Sequence, residues 1–248
     1  NVTFLKGDIR DKQTCLDASK ECEYIFHLAA CVSVPQSIQE PEFCHNSNIN
    51  GTFNLLEAAR THNIKRFVLS SSCAVYGQQT TACSESIPCR PASPYAYSKW
   101  MGELLCQQYA RVFNVPSICL RYFNVIGERQ NPYGPYAGVY AKFSDLMKQD
   151  KPVTIFGDGQ QTRDFVSVAQ VVKANLTVAL LPDAHCNGQA VNIGTGTTTT
   201  VLDIFEQLRL GLKTYKQKPI FEDTRPGDIA YSCANTELYS KLKHGVPL

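Results

Sequence analysis

Four short, β-branched and apolar segments, Val2 to Leu5, Tyr24 to Leu28, Arg66 to Ser71 and Ser117 to Tyr122, alternate with segments of helical spacing at Asp11 to Ser19, Glu42 to His62 and Pro94 to Asn114. Parallel strands cannot be joined by a tight turn and need a crossover, usually a helix, so this alternation predicts βαβ units and a doubly wound α/β sheet. In the helix from Glu42, spacing puts Phe53, Leu56 and Ala59 on one stripe. After about Gly127 the texture changes to a Gly- and Pro-rich stretch, a helix-like Val139 to Lys148, a strand-like Pro152 to Phe156 and a loop from Gly157. We therefore expect a first domain over 1–126 and a smaller lobe over 127–248, with segments near 160–195 returning to the sheet.

A chain of 248 residues, 44% of them hydrophobic, can bury a sizeable core. Its 24 basic and 22 acidic residues give a net charge of +2, too weak a field to hold nucleic acid or an anionic membrane. No apolar run reaches the length of a membrane span, and the start lacks a signal-peptide pattern. The 11 cysteines form no Cys-x-x-Cys pair and no zinc-site spacing, and they read as buried, reduced thiols of a cytoplasmic protein. No metal is expected.

A Rossmann-like sheet normally opens with a glycine-rich turn whose backbone amides hold a pyrophosphate at a helix N-terminus. No such turn is found here. We expect the chain to begin on the third strand, with roughly fifty to sixty residues ahead of it. The ending His244-Gly-Val-Pro-Leu, without a closing helix, likewise reads as that of a fragment.

Tyr95 and Lys99 form a Tyr-x-x-x-Lys pair, whose spacing places both side chains on one helix face. An ammonium beside a phenol favours the phenolate, making a usable base of a group with an ordinary pKa near 10. The pair is weak evidence alone, because Tyr239 and Lys243 repeat it in a plain setting. Context separates the two: the strand Arg66-Phe-Val-Leu runs into Ser70-Ser-Ser-Cys-Ala-Val-Tyr-Gly, and strand C-termini are where such folds bind ligands. Ser72 is thereby expected beside Tyr95, where its hydroxyl can donate to, or relay a proton from, a reacting oxygen.

Seven motifs then occur in order: Gly7-Asp-Ile-Arg-Asp, His27-Leu-Ala-Ala, Asn48-Ile-Asn-Gly-Thr, Ser-Ser-Cys-Ala-Val-Tyr-Gly, Pro94-Tyr-Ala-Tyr-Ser-Lys, Leu120-Arg-Tyr-Phe-Asn-Val and Gln161-Thr-Arg-Asp-Phe. As a set spanning nearly the whole chain, they resemble the extended short-chain dehydrogenases/reductases of the NAD-dependent epimerase/dehydratase family. Within it, the resemblance is strongest to UDP-N-acetylglucosamine and UDP-glucose 4-epimerases, through Ser33-Val-Pro-Gln-Ser-Ile and the continuation of the Leu120 motif to Pro132.

The resemblance implies a bound NAD, bordered by Asp8 and Ile9 at the adenine and by Leu28, Ala29 and Ala30 along the cleft. Asn48, Ser70 and Tyr122 would lie near the cofactor, and Lys99 would hold its ribose. Tyr95 would be the base, and Ser72 would meet the sugar hydroxyl. On the substrate side it implies Ser33, Asn124, Arg163 and Arg225, the guanidinium groups suiting a diphosphate, with Asp228 at a ribose. Val139 and Phe143 would flank a uracil, although Val139-Tyr-Ala-Lys departs from the Val-Ile-Pro-Lys common in relatives.

Family members that eliminate or decarboxylate carry an acidic residue just after the catalytic Ser/Thr, whereas here Cys73 and Ala74 follow Ser72. Epimerisation at carbon 4 of a UDP-sugar is therefore the implied reaction. Ser232, seven residues after Arg225, stands where some relatives place a tyrosine beside the sugar's carbon 2, and a small side chain leaves room for an acetamido group. UDP-glucose, UDP-glucuronate, a dehydratase reaction, or a purely binding fragment stay open as alternatives. A homodimer through a four-helix bundle, built from the Glu42 and Pro94 helices, is also implied.

Overall fold

The computed structural model describes residues 2–133, 138–224, 229–244 and 246. In chain order the elements are α1 (Lys12–Ser19), β1 (Tyr24–His27), α2 (Val34–Gln39), α3 (Pro41–His45), a π turn (Asn46–Asn50), α4 (Gly51–Thr61), β2 (Arg66–Ser72), α5 (Pro94–Phe113), β3 (Ser117–Tyr122), β4 (Asn124–Ile126), α6 (Val139–Lys148), β5 (Thr154–Phe156), β6 (Thr162–Arg163), β7 (Phe165–Ser167), α7 (Val168–Ala179), β8 (Asn187–Ile193), β9 (Thr199–Thr200), α8 (Val201–Gly211), β10 (Ile220–Glu222) and α9 (Glu237–Lys243).

Four strands pair in the order β1-β2-β3-β8, all parallel. Side chains alternate across the sheet, so Phe67 and Leu69 meet Leu56 and Ala59 of α4 and Cys106 and Tyr109 of α5 on one face. Val68, Ile118, Leu120 and Val191 meet Val171, Ala174 and Val178 of α7 on the other. Both faces are thus covered, as parallel sheets require. A separate cluster joins Phe143 and Met147 of α6, Ile155 of β5 and Ile204 and Phe205 of α8. The small parallel pair β4-β7 carries the chain between this cluster and the main sheet.

Local chemistry sets the helix ends. Asp11 caps α1 through Gln13 N at 2.9 Å, and Ser93 caps α5 through Ala96 N at 3.2 Å, each satisfying an amide that the helix leaves free. Asn114, left-handed at φ 55°, stops α5 and turns the chain into β3.

Three details depart from the sequence reading. Val2 to Leu5 forms no strand; it lies extended and exposed, because no neighbouring strand takes its amides and carbonyls. The helix expected from Glu42 runs without interruption to Thr61, but it carries a π turn at Asn46–Asn50, where one residue is added to the helical repeat. Phe53 is 41% exposed, so the buried stripe of α4 is Thr52, Leu56 and Ala59. Among the described residues no helix is long and apolar enough to cross a membrane, and no group of three or more metal-ligating side chains occurs.

Candidate active site

The serine run sits at the C-terminal end of β2, the strand between β1 and β3. Ser72 ends the strand and caps the following turn, accepting from Ala74 N at 3.2 Å. That turn closes at Gly77, whose φ of 65° with ψ of −151° suits only glycine and whose missing side chain makes way for the Arg90 carbonyl. Tyr95 lies in the first turn of α5, its phenol near enough to Ser72 for that hydroxyl to shift its pKa. Burial pushes the phenol up to about 12, and the Ser72 hydroxyl works against that shift.

Lys99 follows one turn later, 7% exposed, with Nζ donating to the Ser70 carbonyl at 2.8 Å. Burial lowers its pKa to about 8. Nζ stands 5.9 Å from the Tyr95 ring centre. Ser70 Oγ meets Tyr122 Oη at 3.2 Å, and Asn175 Nδ2 donates to the same phenol at 2.8 Å.

Asn48, in the π turn, is wholly committed to structure. Its side chain accepts from Cys31 N at 2.7 Å and donates to Cys31 O at 2.9 Å and Ser98 Oγ at 2.8 Å. Asn48 thereby ties the loop after β1 to α5. Leu28 and Ala29 lie exposed along that loop with Ala30 half-buried, and Leu28 keeps 58% of its surface open. Asp8 lies further out, its carboxylate held by Arg10 Nη2 at 2.6 Å, which draws its pKa down to about 2. Ile9 seats against Gly51 at the start of α4.

A cleft of about 850 Å³ opens between the loop after β1 and the α6–β5–α8 cluster. Ser33, Asn124, Val139, Phe143 and Arg163 all line it. Their freedom differs. Ser33 caps α2, accepting from Gln36 N at 3.0 Å, and Arg163 Nη1 donates to the Ile229 carbonyl at 2.5 Å. Phe143 is 4% exposed and meets Phe205 edge-on, so most of its ring belongs to the core. Asn124 is drawn in from β4, its amide donating to the Asp164 carbonyl at 3.3 Å. Ser72, Tyr95 and Lys99 do not line the cleft. Arg163 lines it, and its positive charge is felt by Cys73, the neighbour of Ser72. The half-buried Cys73 thiol also lies near enough to Ser232, itself 8% exposed, for that hydroxyl to lower its pKa against the rise from burial. Arg225 and Asp228 lie outside the described residues.

The burial of four polar residues escaped the sequence reading. Asp164, 0% exposed, accepts from Thr195 N at 2.8 Å, Gly196 N at 3.0 Å and Ala234 N at 3.1 Å, pinning three chain segments beside Arg163. His27 contacts Thr52 Oγ1 at 2.9 Å, and burial, then the Lys99 charge, lowers its pKa to about 3. Glu103 and Arg121 form an ion pair at 2.6 Å beneath the serine run. His27, Asp164 and Arg121 belong to the ordered motifs, so their positions were marked; their pairing with residues distant in sequence was not.

Similarity to known proteins runs the same way as this geometry. Residues 1–194 match the model of the NAD dependent epimerase/dehydratase family. The chain is 38% identical over 232 residues to a UDP-glucose 4-epimerase of Mycolicibacterium smegmatis, covering 92% of this chain and 72% of that one. A UDP-glucose 4-epimerase from Thermotoga maritima, solved with UDP-glucose, superposes with a TM-score of 0.92 at 35% identity, over 97% of this chain and 78% of that chain. A UDP-N-acetylglucosamine 4-epimerase from Methanobrevibacter ruminantium, solved with UDP-N-acetylmuramic acid, gives 0.92 at 34% identity, over 99% and 77%. A parallel sheet whose central strand ends on a serine–tyrosine–lysine group, a family match over most of the chain and these likenesses agree: the chain belongs to the NAD dependent epimerase/dehydratase family.

Proposed function

We propose that the site interconverts the C4 epimers of a UDP-sugar through a 4-keto sugar, with NAD as the recycled oxidant. The observation that carries this is the convergence at the end of β2 of Ser72, of the nearby Tyr95 phenol and of a buried Lys99 bonded to Ser70 O. NAD, when bound, would supply the hydride acceptor for carbon 4 and the hydride donor for the 4-keto sugar. The residues present suit it: Lys99 uses one of three N–H donors on Ser70 O, leaving donors for ribose hydroxyls, and Leu28, Ala29 and Ala30 offer a small apolar wall.

Tyr95 takes the proton from the 4-hydroxyl as the carbon is oxidised and gives it back on reduction, while Ser72 hydrogen-bonds the same oxygen. Lys99, one helical turn on, would favour the phenolate by its charge, and the Ser72 hydroxyl already works against the rise imposed by burial. Asn48 keeps α5 and the loop after β1 at a fixed spacing, and Ser70 and Tyr122 brace the strand end. Asn124, Arg163 and, beyond the described residues, Arg225 and Asp228 take the nucleotide diphosphate and ribose, with Ser33, Val139 and Phe143 completing the wall of the cleft. We read β7, α7 and β8 as the return to the nucleotide-binding sheet, and α6, β5 and α8 as the substrate lobe.

Ser232 beside Cys73 favours an N-acetylated sugar, UDP-N-acetylglucosamine and its galacto epimer. UDP-glucose and UDP-glucuronate are the second reading. Incubating the protein and NAD with each of the three sugars separately, and resolving the products, tests both: a C4 epimer is expected, fastest from the acetylated sugar. A 4-keto-6-deoxy product, or no product from any of them, would reject the reading.

A homodimer is part of this proposal. Tyr97, Met101 and Leu104 on α5 and Phe53 on α4 are each at least 41% exposed, an apolar face of the kind that helices cover by pairing. The eleven free cysteines support a reducing, cytoplasmic setting.

A further inference from the structure

The end of β2 is held from both faces of the sheet. On the α5 face, Ser71 Oγ donates to Glu103 Oε1 at 2.5 Å, and the same carboxylate takes Arg121 through Nε at 2.9 Å and Nη2 at 2.6 Å. Ser71 and Arg121 are register partners on β2 and β3, so their side chains leave the sheet together, toward Glu103 on α5. On the α7 face, Ser70 meets Tyr122. Ser72, whose hydroxyl lies near the Tyr95 phenol, comes next in the chain.

The three groups on the α5 face are sealed, with Ser71, Glu103 and Arg121 at 3%, 1% and 5% exposure. Arg121 Cζ also stands 4.7 Å from the Tyr76 ring centre, and Tyr76 Oη donates to Asn192 Oδ1 on β8 at 2.6 Å. Removing two charges from water costs about as much as their attraction returns, so such a pair adds little net stability. What it supplies is direction: a bidentate contact fixes one geometry.

Glu103 lies four residues after Lys99 and eight after Tyr95, on the same face of α5. Successive turns of the helix therefore bond successive residues of the strand, Lys99 to Ser70 and Glu103 to Ser71. We infer that Glu103, with Ser71 and Arg121, is a positioning group that fixes the height of α5 along β2 and so sets how the Tyr95 phenol meets the Ser72 hydroxyl. The inference rests on Tyr95 acting as the base. A one-residue slip along a strand is about 3.3 Å, and a misplacement of about 1 Å already costs on the order of 100-fold in rate.

The test is the double variant Glu103→Leu with Arg121→Met, which leaves no charge unpaired in the core, measured in the full chain beside Tyr95→Phe. The double variant is expected to keep the urea midpoint of the parent, to lose about 100-fold in kcat with KM changed less than about twofold, and to move the acid limb of its pH profile upward as the phenol loses Ser72. Ser71→Ala, a milder change that removes one hydrogen bond, is expected to lose about 5–10-fold in kcat, and Ser71→Thr, which keeps the hydroxyl, to recover it. A parental kcat and pH profile in the double variant and in Ser71→Ala, with Tyr95→Phe inactive, would overturn the positioning role alone. So would losses in kcat that merely follow the unfolded fraction. An active Tyr95→Phe would instead remove the base reading, and the inference with it.

Discussion

Lys99 Nζ donates to the Ser70 carbonyl at 2.8 Å while standing 5.9 Å from the Tyr95 ring centre, so one ammonium joins the end of the central strand to the helix that carries the phenol. Burial drives both groups toward their neutral forms, lowering Lys99 to about 8 and raising Tyr95 to about 12. A charge brought near the phenol from outside acts against that drift.

With Tyr95 as the base, Tyr95→Phe is expected to lower kcat by roughly 10²–10⁴-fold, the range of general acid–base catalysis. The change deletes one hydroxyl from a folded helix. Circular dichroism and the urea midpoint should therefore match the parent, and turnover of UDP-N-acetylglucosamine should not.

Acid should weaken the fold through His27. Its folded pKa of about 3 lies below its ordinary 6.5, so the unfolded chain binds the proton first. The sign follows: stability from this group is fully present above pH 6.5 and is lost as pH falls toward 3. At pH 4.5 the loss is on the order of 2–3 kcal/mol. Urea midpoints of the parent and of His27→Gln, compared at pH 7 and pH 4.5, should show the smaller acid loss in the variant.

Ser232→Tyr should penalise the acetylated sugar. A bulky ring beside carbon 2 is expected to lower kcat/KM for UDP-N-acetylglucosamine by about 10–100-fold while UDP-glucose changes little. Equal turnover of both sugars before and after the change would refute the assignment.

Asp164→Ala leaves the amides of Thr195, Gly196 and Ala234 without their acceptor. Of the three only Ala234 is buried, and stranding its donor costs about 1–3 kcal/mol; Thr195 and Gly196 are exposed, where water can replace the carboxylate, so the total is expected near about 2–3 kcal/mol. Chemical denaturation reads it directly, and Asp164→Asn should lose less.

Tyr97→Glu with Leu104→Glu places two charges on the exposed apolar face of α5. Sedimentation velocity is expected to show a dimer for the parent and a monomer for the variant. A parental monomer would end the dimer proposal.

Much of the sheet was legible because periodicity and capping are local. Three of the expected strands fall where β-branched runs stand, and Asp11 and Ser93 begin helices by bonds that span two or three residues. Val2 to Leu5 shows the limit: a run of the right residues is a strand only where another strand takes its hydrogen bonds. The π turn at Asn48 was invisible for a similar reason, since contacts with Cys31 and Ser98, distant in sequence, hold it in place.

The two Tyr-x-x-x-Lys pairs divide the matter most sharply. The four-residue spacing alone brings Lys99 within 5.9 Å of the Tyr95 ring and Lys243 within 5.7 Å of the Tyr239 ring, because helix geometry depends only on position along the chain. Tertiary structure decided which pair is more than a surface contact: Lys99 is buried against Ser70 with its pKa lowered, whereas Lys243 is exposed on α9. Desolvation depends on what the rest of the chain brings around a group, and no stretch of sequence carries that by itself.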